Sequence, residues 1–197
     1  MTEVEICNQA LDKIGEEPIV SLTTPRTKRE KVCARHYSVL RDAVLREHEW
    51  GFASRTVTLS PLAGVEPVGW DLAYVYPPDC LEVRRMYQES FDAENPVKYK
   101  IGANIALSSR EIWTDEPDAI LEYTARIVAP NMFDASFVEM LACKLASVIA
   151  IPLTQNLKLE EKWFNRYAIL LAFAEKNDAK EESNAEDEVN VFLDARA

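Results

Sequence analysis

The sequence predicts an α+β fold in which a helical body is interrupted by a small β-subdomain. Three observations carry this. The apolar residues repeat at helical spacing from the start to about residue 49 and again from residue 134 onward. Between them, from about 55 to 126, the pattern shortens to alternation and the chain fills with β-formers. With 197 residues, 48% of them hydrophobic, the chain can bury a real core and has a globular composition.

The first helix is expected over residues 2–15. Thr2 can cap it, with Glu5 completing a capping box, and Val4, Cys7, Leu11 and Ile14 share a face. Gly15 is placed to end it in the left-handed region. A connector broken by Pro18 leads to a second helix, expected over 25–49, with Thr24 as cap and Pro25 at its first position. Its buried stripe is Val32, Cys33, Tyr37, Leu40, Val44 and Leu45. Trp50 and Phe52 form an aromatic exit expected to pack back on the helices. Short strands are expected over 56–62, 80–87, 97–101, 104–107, 111–114 and 120–126, with a hairpin turn at Gly102-Ala103. A third helix follows over 134–151, with Phe137, Met140, Leu141, Leu145, Val148 and Ile149 on its apolar face and Pro152 as its stop. The fourth is expected over 156–180, with Trp163, Tyr167, Leu170, Leu171 and Ala174 as its core stripe. Cys33, Tyr37, Leu40, Leu141, Leu145, Trp163, Tyr167 and Leu170 should meet in one core. Residues 1–180 thus read as a single domain and 181–197 as a tail: an acidic stretch, then an apolar patch of Val189, Val191, Phe192 and Leu193. A patch this small after a solvated linker either docks on another protein or folds back on its own subunit.

Composition removes several function classes. The formal net charge of −11 argues against a protein that wraps nucleic acid, although not against one that lines a channel through which DNA slides. The longest apolar run, Leu145 to Leu153, is short for a membrane helix and contains Pro152. The acidic opening lacks a basic segment followed by an apolar one, so no signal peptide is expected and synthesis should be intracellular. Cys7, Cys33, Cys80 and Cys143 form no CxxC pair, and His36 and His48 supply no HxxxH partner, so the cysteines read as small reduced core residues and no metal or other cofactor is expected. No glycine-rich phosphate loop and no GxSxG motif occurs. The nearest approach to an acid–base cluster, Glu47 and Glu49 beside His48 and Trp50, reads as a solvated helix end, because residues one and two apart on a helix do not face each other. The basic residues of the second helix, Arg26, Lys28, Arg29, Lys31, Arg35, Arg41 and Arg46, are interspersed with Glu30, Asp42, Glu47 and Glu49. They read as a solvated face, as a nucleic-acid patch without interleaved aromatics, or as a dock for an acidic neighbour such as the tail of the same or an adjacent chain.

The run Asn8 to Ile19 contains Ala10-Leu11, Ile14-Gly15 and Pro18-Ile19, an "A-L-x-x-I-G-x-x-P-I" opening. A long helix with Cys33, Tyr37 and Arg41-Asp42 follows, then Trp50-Gly51-Phe52-Ala53, a strand within 56–62, and Tyr74 to Leu81 with Pro77, Asp79 and Cys80. This succession resembles the tail tubular protein A family, the head-to-tail adaptors of short-tailed bacteriophages. It covers residues 5 to 87 well and the rest by length and helix order. The resemblance implies a structural virion protein rather than an enzyme: a twelve-subunit homo-oligomeric ring below the portal protein. A helical bundle body would carry the inserted β-subdomain. The C-terminal extension would run up the portal, with Val189, Val191, Phe192 and Leu193 as docking residues. The other face would receive the tail tube or nozzle protein. Genomic DNA would pass through without specific binding, and the ring would belong to the virion neck, assembled in the host cytoplasm with no membrane partner. The alternatives are a virion-associated peptidoglycan-cleaving enzyme, which needs a carboxylic acid of raised pKa paired with a second carboxylate in a cleft, and a DNA-associated scaffold.

Overall fold

The computed structural model describes the backbone of residues 1–65, 67–88, 97–104 and 108–194, and side chains as far as residue 176. The chain is α+β, with four α-helices and two small antiparallel sheets among the described residues. It divides into two compact units: a helical one built from Met1–His48 and the chain from Ala129 onward, and a β one from Glu49 to Val128.

In the helical unit, α1 (Glu3–Ile14) starts at Thr2 with the expected reciprocal bonds to Glu5 and ends at Gly15, whose φ of 76° only glycine adopts without strain. Asn8 clasps the connector by bonding both the N–H and the C=O of Ile19. The second helix, α2 (Lys28–Glu47), begins later than expected. Thr24 lacks an acidic residue three positions on, whereas Thr27 has Glu30: the Thr27 hydroxyl accepts from Glu30 N–H at 3.2 Å, and the Glu30 carboxylate accepts from the N–H groups of Thr27 and Arg26 at 2.8 and 2.7 Å. The better-satisfied cap sets the boundary.

The third helix, α3 (Ala135–Thr154), is capped by Asp134 and packs against α1, α2 and α4 (Leu157–Asp194). That position explains its composition, with Phe137, Met140, Leu141, Cys143, Leu145 and Ile149 buried around most of its circumference. By length and composition this helix is apolar enough to cross a membrane, although its longest uninterrupted apolar run is short; 61% of its most apolar stretch is buried inside the protein, as in a core helix. Its two charges are answered by the body: Glu139 meets Lys13 at 3.0 Å and Lys144 meets Glu47 at 3.6 Å. Pro152 does not stop the helix. It lies in the last turn, where its missing N–H costs one bond, and the end comes at Gln155, left-handed at φ 57° with its N–H on Ile151 C=O. The expected core is present in part: Cys33, Tyr37, Leu141, Leu145 and Tyr167 are buried, while Leu40, Trp163 and Leu170 are half-buried at its margin.

In the β unit, β1 (Ser54–Thr58), β6 (Ile120–Ala125) and β3 (Cys80–Tyr87) form one sheet in the order β1-β6-β3, and β2 (Leu72–Val75), β5 (Ser109–Thr114) and β4 (Lys100–Asn104) form the other in the order β2-β5-β4. β3 matches its expected span. β1 is shorter than the expected 56–62: beyond it, Pro61 makes only an isolated bridge to Tyr74. β2 has no counterpart among the expected strands. The expected turn at Gly102-Ala103 lies inside β4, where these residues pair with Glu111 and Arg110. Gly102 is there because Trp113 lies across the strand: a Cβ on Gly102 would stand 2.2 Å from the indole. The expected strand 104–107 begins at the last residue of β4, and 105–107 lie outside the described residues. Trp50 is buried and its ring sits 5.9 Å from that of Phe52 at the entry to β1.

Candidate interaction surface

The fourth helix carries the most unusual surface of the helical unit. It has 38 residues against 20 in α3, to which Gln155-Asn156 joins it. The expected boundary at residue 180 is therefore corrected: the acidic stretch and the apolar patch after it continue the helix to Asp194. The local cause is composition, because the segment from Leu157 to Asp194 contains neither glycine nor proline, and its alanines, glutamates and lysines favour the helix. The residues expected to dock on a portal, Val189, Val191, Phe192 and Leu193, thus fall on the last turns of α4; their side chains lie outside the described residues.

One face of α4 is fastened to the body by groups that each have an apolar part and a polar end. The Trp163 indole N–H donates to Lys13 C=O at 2.9 Å, and the Lys13 ammonium stands 5.0 Å from the same ring. The Tyr167 hydroxyl donates to the Glu47 carboxylate, and the Lys144 ammonium lies 4.2 Å from the Tyr167 ring and 5.4 Å from that of Phe164. Tyr167 is the side chain of the expected stripe that is fully buried; Leu170, Leu171 and Ala174 are half-buried.

Large apolar side chains also stand on the solvent side of α4, among exposed Lys158, Glu161, Lys162 and Arg166. Leu157, Phe164, Ile169 and Phe173 are 58%, 50%, 48% and 59% exposed. Ala168 and Ala172 are exposed between them. The sequence reading placed the stripe toward the core but missed this second surface. The signal was there: Tyr167 to Ala174 is apolar at every position, and a surface helix needs an apolar stripe on one side only.

Chemistry is sparse. Glu47, from the suspected acid–base cluster, is occupied by Tyr167 and Lys144; Glu49, in the β unit, meets Arg85 at 3.3 Å. All four cysteines are free and buried. Cys7 on α1 and Cys33 on α2 influence each other: Cys33 and burial hold the Cys7 thiol far above its ordinary pKa, whereas Cys7 lowers that of Cys33. Burial pushes Cys143 up to about 11. Cys7 and Cys143, held protonated in this way, are poor nucleophiles and poor metal ligands. No group of three His, Cys, Asp or Glu suited to a metal occurs among the described residues. An open groove of about 520 Å³ beside α1 is lined by Met1, Glu5, Asn8, Gln9 and Asp12, but Glu5 serves the cap of α1 and Asn8 holds Ile19. The chain matches no protein-family model and no curated protein sequence.

Proposed function

We propose that this protein is a structural subunit of a bacteriophage neck, a head-to-tail adaptor whose copies form a ring between the portal and the tail tube or nozzle. In this reading the body is a helical bundle with an inserted β-subdomain, and the end of α4 is the extension that reaches the portal. The observation that carries the reading is α4 itself, apolar around its circumference at Tyr167–Ala174 and 18 residues longer than its partner α3. At 1.5 Å per residue the excess is about 27 Å of helix with no α3 alongside it. Large exposed apolar side chains on a helix are covered in an assembly, because water disfavours each of them. In a ring of identical subunits the cover is a neighbouring copy, and the projecting end carries Val189, Val191, Phe192 and Leu193 to the portal. The N-terminal resemblance to the tail tubular protein A family supports the same assignment. In this reading DNA passes through the ring without specific contacts.

The test mixes purified chain with portal rings of the phage that encodes it. Full-length protein should join the portal in a stable complex of about twelve copies, read by size-exclusion chromatography with light scattering. Deletion of residues 183–197 should abolish stable attachment. A truncated chain that attaches as well as the full one, or a full chain that never attaches, overturns the assignment.

A further inference from the structure

The basic residues of α2 looked diluted in the sequence, and the structure sorts them. Glu30 is 5% exposed and spent on the helix cap, where the Thr27 and Arg26 N–H groups hold its pKa below the ordinary carboxylate value. Asp42 is bonded by the Arg41 guanidinium at 2.7 Å, and Glu47 by Tyr167 and Lys144. Arg29 is bound to Glu16 and Glu17. Once these are set aside, Lys28, Lys31 and Arg35 remain exposed, with no ion pair among the described residues. Their spacing of three and four places them on one face of the helix. Val39, four residues further along that face, is 65% exposed. Three unpaired cations running into a bare valine form a surface suited to an acidic protein segment rather than to solvent alone. In a chain of net charge −11 the stripe is a local excess of positive charge that would attract an acidic segment.

The same chain supplies a matching segment. Residues 181–188 hold Glu181, Glu182, Glu186, Asp187 and Glu188 and no basic residue, and they lie on α4 beyond the reach of α3. Lys28 to Arg35 and Glu181 to Glu188 each span seven helical steps, about 10 Å. We propose that the stripe Lys28–Lys31–Arg35 on α2 receives the acidic segment 181–188 of a second copy of this chain. The contact orients neighbours through charge and leaves the apolar end, 189–193, free to continue to another partner. It deepens the ring reading but needs no portal, so the two stand or fall separately.

Two charge-reversed chains test it, with self-association read by sedimentation velocity in the absence of portal. One carries Lys28→Glu, Lys31→Glu and Arg35→Glu. Acidic residues in the first turn suit a helix N-terminus, so this variant should fold, as circular dichroism will verify. The other carries Lys at 181, 182, 186, 187 and 188. Each alone should self-associate roughly tenfold or more weakly than wild type, the scale of three surface ion pairs acting together. Mixed, the acidic stripe of the first meets the basic segment of the second, and association should return. Variants that associate like wild type overturn the proposal, as does a mixture that stays apart or a wild type that remains monomeric at low ionic strength. If reversal of the stripe changes the frictional ratio but not the mass, the segment folds onto its own subunit instead. Retention of duplex DNA that the stripe reversal abolishes, with association unmoved, would assign the stripe to nucleic acid.

Discussion

At the head of α2, one carboxylate fixes a helix boundary and a pH dependence together. The N–H groups of Thr27 and Arg26 donate to Glu30 and lower its pKa. A group whose pKa falls on folding adds stability at pH values above the unfolded carboxylate range, and that stability is lost as pH drops through the lower folded value. Glu30→Gln should therefore melt below wild type near neutral pH, with the gap closing in acid, as thermal melts across pH will check. Thr27→Ala should cost about 0.5–2 kcal/mol at any pH. In the β unit, Gly102 leaves room for Trp113. Gly102→Ala forces the indole off β4 and should destabilise by about 1–3 kcal/mol, read by chemical denaturation together with Trp fluorescence. The capping pair was legible in the sequence as T-x-x-E, although Pro25 drew the expected start three residues early. The role of Gly102 was not, because it depends on a residue eleven positions away on the paired strand.

Among the helices, α3 and α4 differ in what surrounds them. α3 is covered on most sides, and Leu145 is fully buried. Leu145→Ala should cost about 2–5 kcal/mol; a loss below about half a kilocalorie in urea would place α3 at the periphery. α4 is covered along one face, so Ile169→Asp with Phe173→Asp should leave the melting point of the subunit nearly unchanged while preventing ring formation, read by mass photometry. Periodicity found both helices and the faces they turn to the core. It did not find that Pro152 falls inside α3, because a proline in the last turn costs a single bond. It ended α4 too early for a different reason: an acidic stretch was read as a break, although glutamate and alanine are good helix formers and nothing in the segment interrupts the backbone.

For the molecule as a whole, α4 outlasts α3 by 18 residues, so its end should add little to the core of its own subunit. Deletion of residues 183–197 should therefore leave the melting temperature within about 2 °C of wild type, since a change of 1 kcal/mol moves a chain of this size by about 2–4 °C. A drop of ten degrees would mean that the end of α4 closes on its own subunit.

The sequence by itself determined the order and type of most elements: four helices around a run of short strands, two of the caps, and an apolar stripe on each helix. These depend on neighbours within a few positions, which periodicity and capping chemistry report directly. Tertiary structure decided which charged residues stay unpaired and which apolar ones stay bare. The acids of α2 drop out of its basic stripe because the helix's own cap takes Glu30, the adjacent Arg41 takes Asp42, and Lys144 and Tyr167, far along the chain, take Glu47. Ile169 and Phe173 stand exposed because α3 can cover only one side of α4. The pairing of Glu47 and the exposure of Ile169 and Phe173 depend on contacts between segments distant in sequence, and no local pattern encodes them.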